Sequence, residues 1–299
     1  MKSPDFFIIG APKCGTSSLA WWLSQHPQVW FSRIKEPHFF NDDSEFRQFR
    51  ARPAYEELFA GAGPEHMAAG EASTWYLLSD TAVPNIEEYT GQTARYIVCL
   101  RDPVTMMPAL HRQLLFSGTE TEQDIRRAWA MQEARAKGDD LPAGIKAPVH
   151  LQYKNACSLG WMCQRLLQRV PRERVHFVFT EDMAGDPQGS YRAVLRFLGL
   201  SENPGDVLLE AVNTAHAPKS RAISALIGLG GIIQRGLGLR TGKGFLRRLR
   251  QINRRKVARK PLPPGFEAEL RAAFAEDIAL LQRVTGRDLS HWQEPQQPG

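Results

Sequence analysis

The sequence predicts an α/β fold in which a central parallel sheet is flanked by helices. Two observations carry this expectation. Short apolar runs stand at residues 5–10, 96–100 and 175–179, and a segment of helical spacing follows each of them. Parallel strands need long crossovers between them, and helices supply those crossovers in a doubly wound sheet.

Residues 5–10 (Asp-Phe-Phe-Ile-Ile-Gly) read as a buried strand ended by glycine. A helix is expected over Thr16–Gln25, with Leu19, Trp22 and Leu23 on one face, and His26-Pro27 stops it. Tyr96–Leu100 is the next strand, followed by a helix over Val104–Phe116. A long amphipathic pattern then runs over Val149–Val170 through Leu151, Leu159, Met162, Leu166, Leu167 and Val170. Val175–Phe179 forms a third strand, with a helix at Pro187–Leu198. Gly228–Gly231 interrupts any helix in the stretch Ala222–Leu239. After Pro261-Leu262-Pro263-Pro264, the spacing of Leu270, Phe274, Ile278 and Leu281 predicts a last helix over Glu267–Val284. The tail from Gln293 is polar and proline-rich and is expected to fray. No internal repeat is visible.

A chain of 299 residues, 42% hydrophobic and 23% charged, has room for one large domain with a sizeable core. The reading is one domain over 1–299, with a variable, glycine-rich and basic insertion at about 222–260. The start of the chain shows no secretory pattern and its first apolar run is short, which makes a cytoplasmic location the expectation. Cys14, Cys99, Cys157 and Cys163 show no paired spacing and no His-rich partner segment, so neither a metal site nor a disulfide framework is expected. The net charge of +6 is local: residues 221–266 hold twelve Lys or Arg and no Asp or Glu, leaving the remainder net acidic. That pattern suits an anionic ligand or surface and argues against a globally basic nucleic-acid binder. A weak contact of residues 222–260 with an anionic membrane surface is a further expectation, although the glycines break any continuous amphipathic helix.

The chemistry is concentrated first in Gly10-Ala11-Pro12-Lys13-Cys14-Gly15-Thr16-Ser17-Ser18. A glycine-bearing turn that delivers backbone N–H groups at a helix start is an anion site. Lys13 adds a point charge, and Thr16, Ser17 and Ser18 add hydroxyl donors. The spacing of Gly10 and Gly15 matches the Walker A loop, but Thr16 stands where that loop has its lysine, and Lys13 lies three places earlier. G-x-P-K-x-G-T-S-S therefore resembles the 5′-phosphosulfate loop of the sulfotransferases that use 3′-phosphoadenosine-5′-phosphosulfate (PAPS), a family whose fold is P-loop-NTPase-like.

Other segments extend the resemblance. Lys35-Glu36-Pro37-His38-Phe39-Phe40 is similar to the KExHFF segment of the bacterial and heparan-sulfate-type branch, which implies Glu36 as catalytic base with His38 as second candidate. Tyr96–Pro103 resembles the family's 3′-phosphate segment, implying that Arg101 forks onto that phosphate. Asp102 at the end of this run also fits a Walker B element. Gly70–Tyr76 resembles E-K-[ST]-x-x-Y, which lies against acceptor and donor. Pro218-Lys219-Ser220-Arg221 and Arg254–Lys260 resemble basic elements around the nucleotide, implying Lys219, Arg221, Arg255 and Lys256 as further donor contacts. Two departures stand out: Ala109 replaces a 3′-phosphate serine, with His111 and Arg112 nearby, and Ala72 replaces a lysine.

The resemblance implies an enzyme that moves a sulfuryl group from PAPS to a hydroxyl or amine, releasing 3′,5′-adenosine bisphosphate without a metal. Pro12, Lys13, Cys14, Gly15, Thr16, Ser17 and Ser18 would hold the 5′ end. The acceptor is expected to be a small molecule, such as a secondary metabolite, or a carbohydrate. Trp21, Trp22, Trp30, Phe39, Phe40, Trp75 and Tyr76 either line its pocket or belong to the core. The alternative is a P-loop kinase-type phosphotransferase, which would need ATP and magnesium.

Overall fold

The computed structural model describes residues 2–203, 207–210, 216–218, 254–256 and 262–294. The apolar run becomes strand β1 (Phe6–Gly10), buried along its whole length, and the loop after it leads into α1 (Thr16–Ser24). Strand β2 (Val29–Phe31), α2 (Arg52–Glu56), β3 (Ala68–Ala72), α3 (Ala82–Thr90) and β4 (Arg95–Leu100) follow. Next come α4 (Pro103–Ser117), α5 (Ile125–Ala130), α6 (Gln132–Ala136), α7 (Tyr153–Cys157) and α8 (Leu159–Leu167). Strand β5 (Val175–Phe179), α9 (Thr180–Gly185), α10 (Pro187–Phe197) and α11 (Phe266–Thr285) complete the larger unit.

The five strands form one parallel sheet in the order β2-β3-β1-β4-β5. Helices cover it, as the alternation of strand and helix requires. The three strands and the flanking helices expected from the sequence are present within one or two residues of their expected ends. β2 and β3 are additional. The sequence of β3, Ala-Ala-Gly-Glu-Ala, has no β-branched residue, yet all five positions are buried between β1 and β2. Gly70 is required there by close approach: a Cβ would come within 2.4 Å of the Phe6 ring.

The amphipathic run 149–170 is not one helix. A 3₁₀ turn at Pro148–Leu151, α7 and α8 divide it, with non-helical backbone at Gln152 and Ser158. The restart at α8 is fixed from outside, because the Asp277 carboxylate on α11 accepts the N–H groups of Gly160 and Trp161, each at 2.9 Å. Those are first-turn donors with no intrahelical acceptor, and periodicity alone does not show such a tertiary cap.

Two compact units divide the chain: 1–212 with 262–299, and 213–261. In the smaller unit, β6 (His216–Pro218) pairs antiparallel with β7 (Arg254–Lys256). Lys219, Arg221 and the segment 222–253 lie outside the described residues, as do the side chains of Arg255 and Lys256. No helix among the described residues is long and apolar enough to cross a membrane.

One buried ion pair links the helices beyond α4. Both nitrogens of the Arg135 fork donate to the Glu120 carboxylate, at 2.6 and 2.8 Å, and Tyr153 Oη donates to it at 2.6 Å. Both charged side chains are essentially inaccessible. Burial alone would raise the Glu120 pKa, but Arg135 and Tyr153 outweigh it and hold the carboxyl down at about 2. Arg135→Ala leaves a buried carboxylate unpaired and is expected to cost about 3–5 kcal/mol in urea denaturation. A depressed carboxyl contributes stability above its unfolded pKa. The contribution from Glu120 is therefore complete above about 4.5 and is lost as pH falls towards 2, a loss that Arg135→Ala should abolish.

Candidate active site

The carboxyl ends of β1, β3, β4 and β5 lie along one edge of the sheet, and the sequence-predicted segments leave from them. After β1, residues 11–15 form the loop. Gly15 stands at the N-cap of α1 with φ 84°, in the left-handed region. There a Cβ would also sit 3.3 Å from Met183 Sδ. The first turn of α1 places the backbone N–H groups of Thr16, itself buried, and Ser17 at this corner. Ser18 and Cys14 are buried. Cys14 Sγ faces Pro12 O at 3.5 Å and Met106 Sδ at 3.6 Å, so this thiol is a packing group under the loop.

Three ties hold the loop. Ala11 N donates to Cys99 O on β4 at 2.8 Å. Arg101 Nη1, just past β4, donates to Lys13 O at 3.2 Å, while its Nε donates to Thr105 Oγ1 at 2.8 Å. Thr180 Oγ1, just past β5, is shared between Cys14 O at 3.1 Å and Leu100 O at 2.9 Å. Lys13 Nζ donates to Gln113 Oε1 on α4 at 3.3 Å. Burial lowers the Lys13 pKa, and the neighbouring charges of Arg101 and Arg112 lower it further. A bound anion would relieve that stress.

The second segment lies beside the loop. Glu36 N donates to Ala72 O at the end of β3, at 2.7 Å. The Glu36 carboxylate pairs with Lys35 Nζ at 2.5 Å and accepts from Thr74 Oγ1 at 3.3 Å, and His38 Nε2 stands 3.6 Å away. Burial works to raise the Glu36 pKa, but Lys35 and His38 prevail and hold it well below the usual carboxylate range. The Glu36 charge works against the lowering of the Lys13 pKa and favours the Lys13 ammonium, while Lys35 adds to that lowering. The His38 ring is buried, 5.1 Å from Phe46 and 5.9 Å from Tyr76, and its nitrogens have no hydrogen-bond partner among the described residues. Beyond Phe46, His150 stacks on Trp75 at 3.7 Å. Burial, then the neighbouring His38, pushes the His150 pKa down to about 3.

Several residues at the site carry no obvious sequence signal: Gln113, Thr105, Thr180 and His150. Thr180 has a weak one, standing directly after a strand of a parallel sheet, where ligands gather. Of the aromatic candidates, Trp22, Phe40, Trp75 and Tyr76 are buried and Trp21 is exposed. Ala109 faces inward on α4 without a hydroxyl, and His111 is engaged with Glu122 O at 2.9 Å, away from the loop. Asp102 accepts Val104 N at 2.9 Å as the cap of α4, a structural task for the Walker B-like aspartate.

A parallel sheet, a glycine-bearing loop at its carboxyl edge and a carboxylate–imidazole pair beside it define a P-loop-like α/β fold. The chain belongs to the sulfotransferase domain family, whose family model matches residues 3–222. Protein-tyrosine sulfotransferase 2 of Gallus gallus is 25% identical over 210 residues, covering 67% of this chain and 52% of that protein. Heparan sulfate glucosamine 3-O-sulfotransferase 3A1 of Mus musculus is 25% identical over 207 residues, covering 66% and 46%. Carbohydrate sulfotransferase 15 of Homo sapiens is 60% identical, but over only 37 residues, 12% of this chain and 7% of that protein. The chain thus spans about half or less of the length of the curated relatives it matches. A crystal structure of a sulfotransferase from Alicyclobacillus acidocaldarius superposes with a TM-score of 0.73 at 26% identity, covering 98% of this chain and all of that one.

Thr180→Val removes the hydroxyl that clamps Cys14 O to the β4 edge. Loss of that bond should lower the stability read in urea denaturation by about 1 kcal/mol.

Proposed function

We propose that the chain transfers a sulfuryl group from PAPS to a hydroxyl or amine of a small-molecule or carbohydrate acceptor, with Lys13 and Glu36 at the reacting centre. The observation that carries this reading is where the backbone is strained. Among the described residues, five that are not glycine have positive φ, and three of the five are Lys13 (65°), Glu36 (62°) and His38 (49°). Such conformations cost of the order of 1 kcal/mol or more each and persist where the surroundings impose them, which is characteristic of functional sites. Here they fall on the three residues that the loop and the KExHFF-like segment single out.

The residues present fit a phosphosulfate donor. Gly15 lets the loop turn into α1 at φ 84° while packing against Met183. Lys13, Thr16, Ser17 and the first-turn N–H groups of α1 supply a cation and donors for the 5′ end. Arg101, held by its bonds to Thr105 and to Lys13 O, supplies a fixed cation for the 3′-phosphate. On α4, Arg112 stands one turn beyond Ala109, and its charge already reaches Lys13, which makes it a basic substitute for the missing hydroxyl. When bound, the donor supplies an activated sulfuryl group and a bisphosphate leaving group.

Lys13 stabilises negative charge developing at the leaving oxygen, the use to which a partly desolvated ammonium is best put. Glu36 receives the acceptor's proton. Lys35 keeps Glu36 ionised and also lowers its proton affinity, so this ion pair has to lengthen as the proton arrives. His38 stands behind the carboxylate as the second candidate base. Phe46 is the exposed aromatic beside this pair, backed by the buried His150 and Trp75, and is the side chain against which an acceptor packs. The names of two relatives point to oxygen acceptors on tyrosine and glucosamine, which supports a hydroxyl at this position.

Thermal stabilisation by 3′,5′-adenosine bisphosphate should exceed that by ATP with magnesium by several degrees, and the reverse order would establish the kinase-type reading. Lys13→Ala should lower release of 3′,5′-adenosine bisphosphate from PAPS at least 10²-fold with the fold intact; near-normal release overturns the assignment. Glu36→Gln should depress the same rate far more than donor affinity. A crippled His38→Ala beside a mild Glu36→Gln transfers the base to His38.

A further inference from the structure

Glu71, on β3 beside Phe7 of β1, is the one carboxylate of the Gly70–Tyr76 segment, and its side chain is fully buried. Three hydroxyls donate to it: Ser73 Oγ to Oε2 at 2.8 Å, Tyr76 Oη to Oε1 at 2.9 Å and Tyr55 Oη to Oε1 at 3.4 Å. Two of these hydroxyls are also acceptors. Ser73 Oγ takes the N–H of His38 at 3.0 Å, and Tyr76 Oη takes those of Phe39 at 2.8 Å and Phe40 at 3.3 Å. Three consecutive backbone donors of the KExHFF-like segment are thus gathered onto two hydroxyls, and both hydroxyls onto one carboxyl.

We propose that Glu71 is a positioning residue for sulfuryl transfer: its ionised carboxylate orients Ser73 and Tyr76 so that they hold the strained backbone carrying His38, and with it the orientation of the Glu36–His38 pair. This rests on the reading of Glu36 and His38 as the acid–base pair. The direction of the network follows from donor and acceptor counting. The lone pairs of both hydroxyls face N–H groups, so their protons point to Glu71, which has to accept from both. A protonated Glu71 becomes a donor at one oxygen, and one of the two hydroxyls then loses its acceptor.

The groups facing Glu71 support this. Tyr55 from α2, Ser73 and Tyr76 are hydroxyl donors, Phe7 on β1 is apolar, Glu36 is a nearby like charge with Lys35 paired to it, and the His38 ring lies beyond Tyr76. Burial pushes the Glu71 carboxyl up to about 7, against the lowering effect of the three hydroxyls, and Glu36 adds repulsion. Glu36 itself titrates far lower. The acid limb of turnover then belongs to Glu71, with the rate rising as pH increases through about 7.

The test measures release of 3′,5′-adenosine bisphosphate from PAPS with water as acceptor, which breaks the S–O bond to the leaving phosphate, forms sulfate and releases a proton. Ser73→Ala, Tyr76→Phe and Glu71→Gln should each lower this rate by between tenfold and 10²-fold, the scale of a small misplacement. The Kd for 3′,5′-adenosine bisphosphate should stay within about twofold of wild type. Tyr55→Phe removes a hydroxyl from the same carboxyl without touching the 38–40 backbone and should leave the rate within about twofold. Glu71→Gln should also flatten the acid limb. Normal rates in both Ser73→Ala and Tyr76→Phe, an equal loss in Tyr55→Phe, or an acid limb that survives Glu71→Gln would each overturn the proposal. If Glu71→Gln does not fold, the Ser73 and Tyr76 variants decide it. Glu36→Gln, run alongside, separates the two readings: normal turnover there overturns the base assignment, whereas lost turnover with normal Ser73→Ala and Tyr76→Phe overturns the role of Glu71 alone.

Discussion

Parallel pairing is the constraint on which the site depends. Because β1, β3, β4 and β5 run the same way, Gly10, Ala72, Leu100 and Phe179 end on one edge, and the residues after each emerge together. The strand order changes direction at β1: the chain builds β2 and β3 on one side of it and β4 and β5 on the other. Such a reversal opens a crevice at the carboxyl ends, where doubly wound sheets bind ligands. The loop 11–15 fills that position, with Arg101 and Thr180 reaching it from β4 and β5 and the Glu36 backbone fastened to β3. Residues more than 150 positions apart in sequence meet because the hydrogen-bond ladder fixes where each strand stops.

Two buried carboxylates show how differently the same group can serve this fold. Glu120 has a guanidinium against it, so its charged form is favoured and its stabilisation is lost in acid. Glu71 has only hydroxyls, so burial wins and its proton affinity rises. A raised carboxyl acts in the opposite sense: between about pH 4.5 and 7 the native state holds a proton that the unfolded chain has released, and stability falls across that window as pH rises. An apolar residue in place of Glu71 would avoid that cost. The positive φ values at Lys13, Glu36 and His38 are further costs of this kind, concentrated at one corner of a molecule otherwise built from well-packed apolar elements.

Where local pattern and tertiary structure agree, the sequence was a sufficient guide. Val175–Phe179 is a strand with its expected limits, and α1 begins at Thr16 because the glycine before it can adopt a left-handed φ. β3 escaped detection because alanine and glycine carry almost no strand signal; its place is set by Phe6 packing over Gly70. The division of 149–170 escaped because its cause, Asp277, lies more than a hundred residues away. At the site, Lys13, Glu36, His38 and Arg101 were legible through motif spacing. Gln113, Thr180 and His150 were not, since each reaches the site through the fold rather than through its neighbours in sequence.

The two substitutions against the family pattern can be placed on this frame. A lysine at position 72 would project from the fully buried end of β3, next to the carbonyl that accepts Glu36 N. With alanine there, no ammonium is buried in the sheet, and Lys35 supplies a cation to the Glu36 carboxylate from the partly exposed side. On α4, Thr105, Ala109 and Gln113 follow at four-residue spacing, one face of the helix. Thr105 is engaged with Arg101 and Gln113 with Lys13, so Ala109 lies between two side chains that tie the helix to the loop. The polar contacts of this face therefore lie one turn to either side of Ala109. Neither the ties that hold the loop 11–15 nor the hydrogen bond from Glu36 N to the backbone carbonyl of Ala72 uses a side chain at position 72 or 109, which is why a chain with alanine at both positions still assembles these two segments.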